Sequence, residues 1–149
     1  MKRIVVAVDD SPAALRAVDV AISLATATGA TLVAVMVLQD HTLDERISAA
    51  SAPVGGRRIL AANAVLRHIQ QLADVAGVPV DTVQVSGSPA AEVLAEARRS
   101  NADLIVVARA SHRAVGIPHV GSEALRIMEF ADVPVMVVPP VAPIGDRSP

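Results

Sequence analysis

The sequence predicts an α/β protein with a doubly wound, five-stranded parallel sheet and two helices on each face. Short runs rich in β-branched residues alternate along the chain with longer segments in which apolar residues recur every three or four positions. The strand segments read as continuous apolar runs, which is typical of strands that are covered on both faces. Because strands that alternate with helices form right-handed βαβ units, all five strands are expected to run parallel.

Capping and helix-breaking residues delimit the elements. Residues 4–8 are the first predicted strand, and Ser11 followed by Pro12 predicts the start of a helix that ends at Gly29. Ser88 and Pro89 repeat the same start signal for a later helix. The other predicted strands cover residues 32–38, 80–85, 103–108 and 134–138, and the other predicted helices cover residues 59–76 and 121–131.

Two segments are predicted to differ from this regular framework. Residues 39–58 are polar, and the spacing of Thr42 and Glu45 matches a capping box, which predicts a short helix through Ile47. Residues 51–56 contain Pro and Gly and are predicted to be mobile. The domain is expected to cover residues 1–140, and the proline-rich residues 141–149 are expected to form a disordered tail.

Composition excludes several classes of function. With 13 basic and 15 acidic residues the net charge is −2, which is too balanced for a protein whose main partner is nucleic acid. The chain has no Trp, Tyr or Cys, which excludes a base-stacking platform and sites built on thiolates. No apolar run approaches the ~18 residues that a membrane span requires, and the N-terminus lacks a signal-peptide pattern, so a cytoplasmic protein without membrane contact is expected.

Two neighbouring carboxylates, Asp9 and Asp10, follow the first predicted strand. Parallel sheets bind ligands beyond the carboxyl ends of their strands, at the point where the strand order reverses. Such a pair could bind Mg²⁺ or accept hydrogen bonds from a ribose or an adenine. Alternatively, Asp10 or Ser11 only caps the next helix. His112 and His119 have no clustered carboxylate or Cys, so no metal site is predicted there.

A more specific pattern follows the fourth predicted strand. Ala108 and Ser111 stand three residues apart, and Gly121 and Ser122 come after nine further residues. With these residues, and over residues 2–138, the chain resembles the universal stress protein family. The resemblance implies a sheet of order 3-2-1-4-5 that binds ATP or another adenine nucleotide. It implies that Ala7, Val8, Asp9 and Val37 face the adenosine, and that Ala108, Ser111, Gly121, Ser122 and Glu123 face the phosphates, and the basic residue Arg109 is assigned to the same binding site.

The phosphate side of this motif departs from that of the ATP-binding members, which carry Gly-x-x-Gly-x9-Gly-Ser/Thr. Ala108 and Ser111 replace the first two glycines, and glycine lets backbone N–H groups approach phosphates closely. A Cβ in a left-handed conformation costs about 1–2 kcal/mol, and a lost charge-assisted hydrogen bond costs about 1.5–3 kcal/mol. Weak ATP binding is therefore predicted, and Glu123 adds negative charge at the same place. An anion is favoured by the start of a helix at Gly121 and by the basic residues Arg109, His112, Arg113 and His119.

The resemblance implies a non-enzymatic cytoplasmic regulator of the stress response that acts on an unidentified client protein. One alternative is a protein-interaction module of the same fold that binds no nucleotide. Another is a weak ATPase, which would need a metal-binding constellation and a lysine on the phosphates. Val135 to Val138 form an apolar edge strand, and the resemblance implies that this strand pairs with its copy in a homodimer.

Overall fold

The computed structural model describes residues 1–9, 11–39, 53–109 and 121–140, apart from the side chains of residues 53–55 and 57. The elements in chain order are β1 (Arg3–Val8), α1 (Pro12–Thr28), β2 (Thr31–Leu38), α2 (Pro53–Ala76), β3 (Val80–Ser86), α3 (Pro89–Arg99), β4 (Leu104–Ala108), α4 (Ser122–Phe130) and β5 (Val135–Val138). Asp10, the short helix predicted through Ile47, the basic residues 112, 113 and 119, and the tail 141–149 lie outside the described residues.

The five strands form one parallel sheet in the order β3-β2-β1-β4-β5. The central strand β1 pairs with β2 from Arg3 to Val8 and with β4 from Ile4 to Val6. The strand order reverses at β1, because the chain first builds outward to β3 and then returns to β4 on the other side. The predicted fold class and strand order are confirmed. The carboxyl ends of β1, β2 and β4 lie side by side at the reversal.

The sheet separates two apolar cores, because successive side chains of a strand point to opposite faces. Ile4 and Val6 are fully buried beneath α1 and α2, whereas Val5 is buried beneath α3 and α4. Ala17 and Ala21 of α1 are also fully buried, since small side chains let the helix approach the sheet closely. In the described part of the chain each face is thus covered by two helices, as predicted.

The ends of α1 agree with the capping residues of the sequence. The hydroxyl Oγ of Ser11 accepts a hydrogen bond from the backbone N–H of Ala14 at 3.2 Å. Gly29 ends the helix with a φ of 73°, a left-handed conformation that glycine adopts without steric cost. Local sequence therefore sets both ends of this helix.

Two elements differ from the predictions. Helix α2 begins at Pro53, so residues 53–56, which the sequence analysis assigned to a mobile segment, form its first turn. A proline fits this place because its φ is preset and its missing N–H is not needed there.

Strand β3 is not a continuous apolar run, since Asp81 and Thr82 are exposed. This strand lies at the edge of the sheet, where one side of the ladder faces solvent.

Asp103 reinforces the amino end of the β1–β4 pair. Its Oδ2 accepts hydrogen bonds from the backbone N–H groups of Lys2, at 2.6 Å, and of Arg3, at 2.9 Å. These two donors hold the pKa of the Asp103 carboxyl below its ordinary value of 3.8. A pKa that is lowered in the folded state stabilises the fold above 3.8, and this stabilisation is lost as the pH falls through the folded-state pKa.

We expect Asp103→Asn to lower the free energy of unfolding at neutral pH, and we expect the difference from wild type to shrink as the pH falls below 3.8. Urea unfolding followed by circular dichroism at several pH values measures this difference. Asp81→Asn, at an exposed position of β3, is the matched control and should leave the pH dependence unchanged. A deficit of Asp103→Asn that stays constant over the whole pH range would contradict the role of the ionised carboxylate.

Candidate functional site

A pocket of about 190 Å³ opens at the carboxyl edge of the sheet, where the strand order reverses. The ends of β1, β2 and β4 form its base, and residues in or near the first turns of α1, α3 and α4 form its walls. The pocket therefore lies where ligands bind in doubly wound α/β proteins.

The pocket brings together six of the residues assigned from the sequence. They are Ala7, Val8, Asp9, Val37, Ala108 and Glu123. Gly121 is the N-cap of α4 and Ser122 is its first residue, and neither lines the pocket. Arg109 follows β4, and its backbone N–H donates to the carbonyl of Val138 at 2.8 Å. Ser111 lies outside the described residues.

Sequence reasoning missed the other lining residues. They are Ala14, Gln39, Pro89, Val107, Ala124 and Ile127. Gln39 directly follows β2, so the rule about the carboxyl ends of strands identifies its position as well. Ala14, Pro89 and Ala124 belong to the beginnings of helices that start at the same edge. The sequence contained these signals, but only the packing of the helices on the sheet showed which of their side chains face the pocket.

Asp9 is held by the chain that follows it. Its Oδ1 accepts a hydrogen bond from the backbone N–H of Ser11 at 2.7 Å, as in an Asx turn. The side chain is exposed and lines the pocket, and a carboxylate carries a second oxygen, Oδ2, that can accept a bond from a ligand. Asp9 thus supports the turn into α1 and also presents an acceptor to the pocket, while Ser11 caps α1, which is one of the alternatives that the sequence left open.

Glu123 connects two helices. It is the second residue of α4, and its Oε2 accepts a hydrogen bond from the backbone N–H of Ala90, the second residue of α3, at 2.9 Å. Ser88 stands at the N-cap of α3, but its side chain makes no capping hydrogen bond. The predicted start of this helix at Ser88 and Pro89 is confirmed, but the side-chain acceptor that Ser11 supplies in α1 is supplied here by a carboxylate of the neighbouring helix.

The charged residues among the described lining of the pocket are both acidic, Asp9 and Glu123. The guanidinium Nη1 of Arg126 lies 4.0 Å from Oε1 of Glu123, and the Arg126 side chain is 62% exposed. An exposed pair at this distance contributes about 0–1 kcal/mol to stability, and Arg126 does not line the pocket. Among the described residues no group of three His, Cys, Asp or Glu side chains is placed to hold a metal ion.

A second cavity of about 220 Å³ adjoins the pocket. The two cavities share Asp9, Val37 and Gln39, and the second one extends between β2 and α2 to Arg58. A guanidinium N–H of Arg58 donates to the backbone carbonyl of Gln39 at 3.4 Å. Asp9 and Gln39 thus line two adjacent cavities at the carboxyl edge.

Another cavity, of about 250 Å³, lies at the opposite edge, between α3, the amino end of β4 and the segment that joins α4 to β5. The exposed ion pair between Arg98 and Asp132, 3.1 Å apart, stands at its rim. Amino ends of parallel strands do not form ligand sites in this architecture. We therefore assign the candidate site to the carboxyl edge, although the cavity there is smaller.

None of the helices in the described part of the chain is long and apolar enough to cross a membrane.

Comparisons with known proteins agree with this fold. Three similar structures are the universal stress protein UspA from Lactobacillus plantarum (25% identity, 92% of this chain and 97% of that chain, TM-score 0.80), a universal stress family protein from Burkholderia pseudomallei (28%, 94% and 96%, 0.66), and a universal stress protein in complex with cAMP (25%, 94% and 98%, 0.68). No curated protein matches the chain. The model of the universal stress protein family matches residues 1–139. With the sheet order and the pocket at its reversal, this match shows that the chain belongs to the universal stress protein family.

Proposed function

We propose that the chain is a cytoplasmic stress-response protein that binds an adenine nucleotide in the pocket at the carboxyl edge and acts as a regulator without turning the nucleotide over. The observation that carries the proposal is the pocket itself, which joins apolar walls to the carboxylate of Asp9 at the reversal of the strand order. The 25% identical family member that is in complex with cAMP supports the choice of an adenine ligand.

The walls and the acceptor suit the two halves of an adenosine. Ala7, Val37 and Val107 offer apolar surface against which a flat base can pack. A carboxylate at the end of a strand of such a sheet accepts hydrogen bonds from ribose hydroxyls, and Oδ2 of Asp9 can take this role. The nucleoside is therefore expected to contribute most of the binding free energy.

The proposal that the bound nucleotide is not hydrolysed rests on the position of the lysine, which lies far from the pocket. Lys2 is the only lysine in the sequence, and it precedes β1 at the amino edge of the sheet. Six strand residues separate it from the carboxyl edge, about 20 Å at a rise of ~3.3 Å per residue. A lysine placed on the phosphates, as in phosphoryl-transfer sites, is thus absent from this pocket. Sustained release of phosphate from ATP, lost in Asp9→Ala, would favour the weak ATPase instead.

We expect Asp9→Ala to weaken AMP binding about tenfold or more, since a hydrogen bond to a charged group contributes about 1.5–3 kcal/mol. Titration calorimetry measures the affinity, and a thermal melt checks that the loss of the bond to Ser11 does not unfold the chain. Asp19→Ala, at an exposed position of α1, is the matched control and should bind like wild type. If wild type binds no adenine ligand, the proposed function is wrong and the alternative of a protein-interaction module is favoured.

We further propose that the protein forms a homodimer through β5. Within the described residues β5 pairs with β4 on one side only, and Val135, Met136 and Val137 are half-buried. Leu125 and Met128 of α4 are 52% and 38% exposed. Their flank of the helix faces away from Glu123, which contacts α3, and hence towards the β5 edge. The apolar edge strand and this flank form one surface, to which a second copy would contribute the same surface by two-fold symmetry.

A further inference from the structure

The Glu123 carboxylate already occupies a position that attracts anions. The first N–H groups of a helix lack partners within the helix and carry the positive end of its dipole. Oε2 of Glu123 accepts from one of these groups, the Ala90 N–H of α3, and Glu123 itself belongs to the first turn of α4. The beginnings of two helices therefore share one carboxylate that the protein supplies.

This carboxylate also faces the pocket. Glu123 is one of the lining residues, and its side chain is 38% exposed although it bonds to Ala90. Asp9 stands in the same lining, so the described part of the lining presents two acidic side chains to a ligand. A phosphate would compete with Glu123 for the α3 N-terminus and would be repelled by its charge, and each additional phosphate would increase the repulsion.

We propose that Glu123 is a specificity-determining residue, which sets the preference of the site for adenine ligands of low charge, adenosine and AMP, over ATP. The inference rests on the proposed function, since it concerns the same pocket. The effect of Glu123 differs from that of the replaced glycines. Replacing the glycines removes backbone N–H contacts that would attract a phosphate, whereas the Glu123 carboxylate repels the phosphate through its negative charge. Removal of the charge alone, with the loop unchanged, should therefore restore phosphate affinity.

The test uses the full chain as wild type, Glu123→Gln and Glu129→Gln. In Glu123→Gln the amide oxygen can still accept from Ala90, so the contact between α3 and α4 is retained without its charge. Glu129→Gln removes one negative charge from an exposed position of the same helix that does not line the pocket. Titration calorimetry with adenosine, AMP, ATP and inorganic tripolyphosphate at one fixed ionic strength measures all affinities.

We expect wild type to bind ATP more weakly than adenosine, and Glu123→Gln to bind ATP about tenfold more tightly than wild type, ~1.4 kcal/mol. The affinity for adenosine should change less than twofold, and Glu129→Gln should bind all ligands like wild type. Wild type that prefers ATP to adenosine, or an unchanged ratio of the two affinities in Glu123→Gln, would overturn the proposal.

Tripolyphosphate separates this proposal from the proposed function. If wild type binds neither adenosine nor AMP, the proposed function is wrong, but the tripolyphosphate titrations still test whether Glu123 repels phosphate. Tripolyphosphate that binds Glu123→Gln about tenfold more tightly than the other two proteins supports exclusion of phosphate by Glu123. Equal or undetectable binding of tripolyphosphate to all three proteins, in the absence of adenine binding, overturns the exclusion as well.

Discussion

Ile69→Ala should lower the free energy of unfolding by about 2–5 kcal/mol, because it removes a buried side chain and leaves a cavity that the core fills only in part. Ile69 lies in α2, is completely buried and packs into the core between α1, α2 and the sheet. For a domain whose total stability is about 5–15 kcal/mol, this is a large fraction. Urea unfolding at neutral pH measures the loss.

The same helix provides the matched control for this prediction. Ile59 also belongs to α2, but 47% of its surface is exposed. Ile59→Ala makes the same chemical change with little or no cavity, so its cost should stay below about 1 kcal/mol. Equal costs at the two positions would show that α2 does not pack on the sheet as described.

Val137→Asp should raise the dissociation constant of the proposed homodimer about a hundredfold, ~2.7 kcal/mol. In an antiparallel pair of β5 strands each protomer would contribute a new carboxylate, and both carboxylates would be desolvated in an apolar interface. Light scattering at micromolar concentration should give twice 15.3 kDa for wild type and 15.3 kDa for the variant. A wild-type monomer under these conditions would rule out the dimer.

Val137 also packs against the protomer's own core, so a second variant distinguishes dissociation from unfolding. Leu125→Glu replaces an exposed side chain on the flank of α4 beside β5 and should weaken the dimer while the melting temperature of the protomer stays close to that of wild type. Phe130→Glu is the control, since Phe130 is 58% exposed on the same helix but on the flank nearer α3. A Phe130→Glu protein that dissociates as readily as Leu125→Glu would place the interface elsewhere.

The Asp9, Glu123 and dimer experiments test three separate properties: nucleoside binding, phosphate preference and assembly. Asp9→Ala tests whether the pocket holds a nucleoside, and Glu123→Gln tests which phosphate charge the pocket accepts. The Val137 and Leu125 variants test an assembly whose surface, around β5 and α4, is separate from the Asp9 carboxylate. A monomeric protein that still binds AMP would keep the nucleotide proposal and remove only the dimer.

Local chemistry made most of the architecture predictable. The strand and helix periodicities, the Ser11 cap and the left-handed stop at Gly29 each depend on a few neighbouring residues, so they could be inferred before any packing was known. The same holds for the carboxylate of Asp9, which follows directly from the end of a central strand. The structure differs from the predictions where the position of an element in the fold decides its exposure. Strand β3 is an example, since Asp81 and Thr82 are exposed because the strand lies at the edge of the sheet.

By itself the sequence determined a five-stranded α/β protein of the universal stress protein family with a candidate site at the end of β1. The tertiary structure decided which side chains form that site and what charge they present. Glu123 and Ala90 are 33 residues apart, and their hydrogen bond exists only because α3 and α4 pack side by side on one face of the sheet. Sequence reasoning placed the start of α3 correctly at Ser88, but it could not identify Glu123 as the acceptor, because the N–H groups of a helix bond to whichever acceptor the packing brings near.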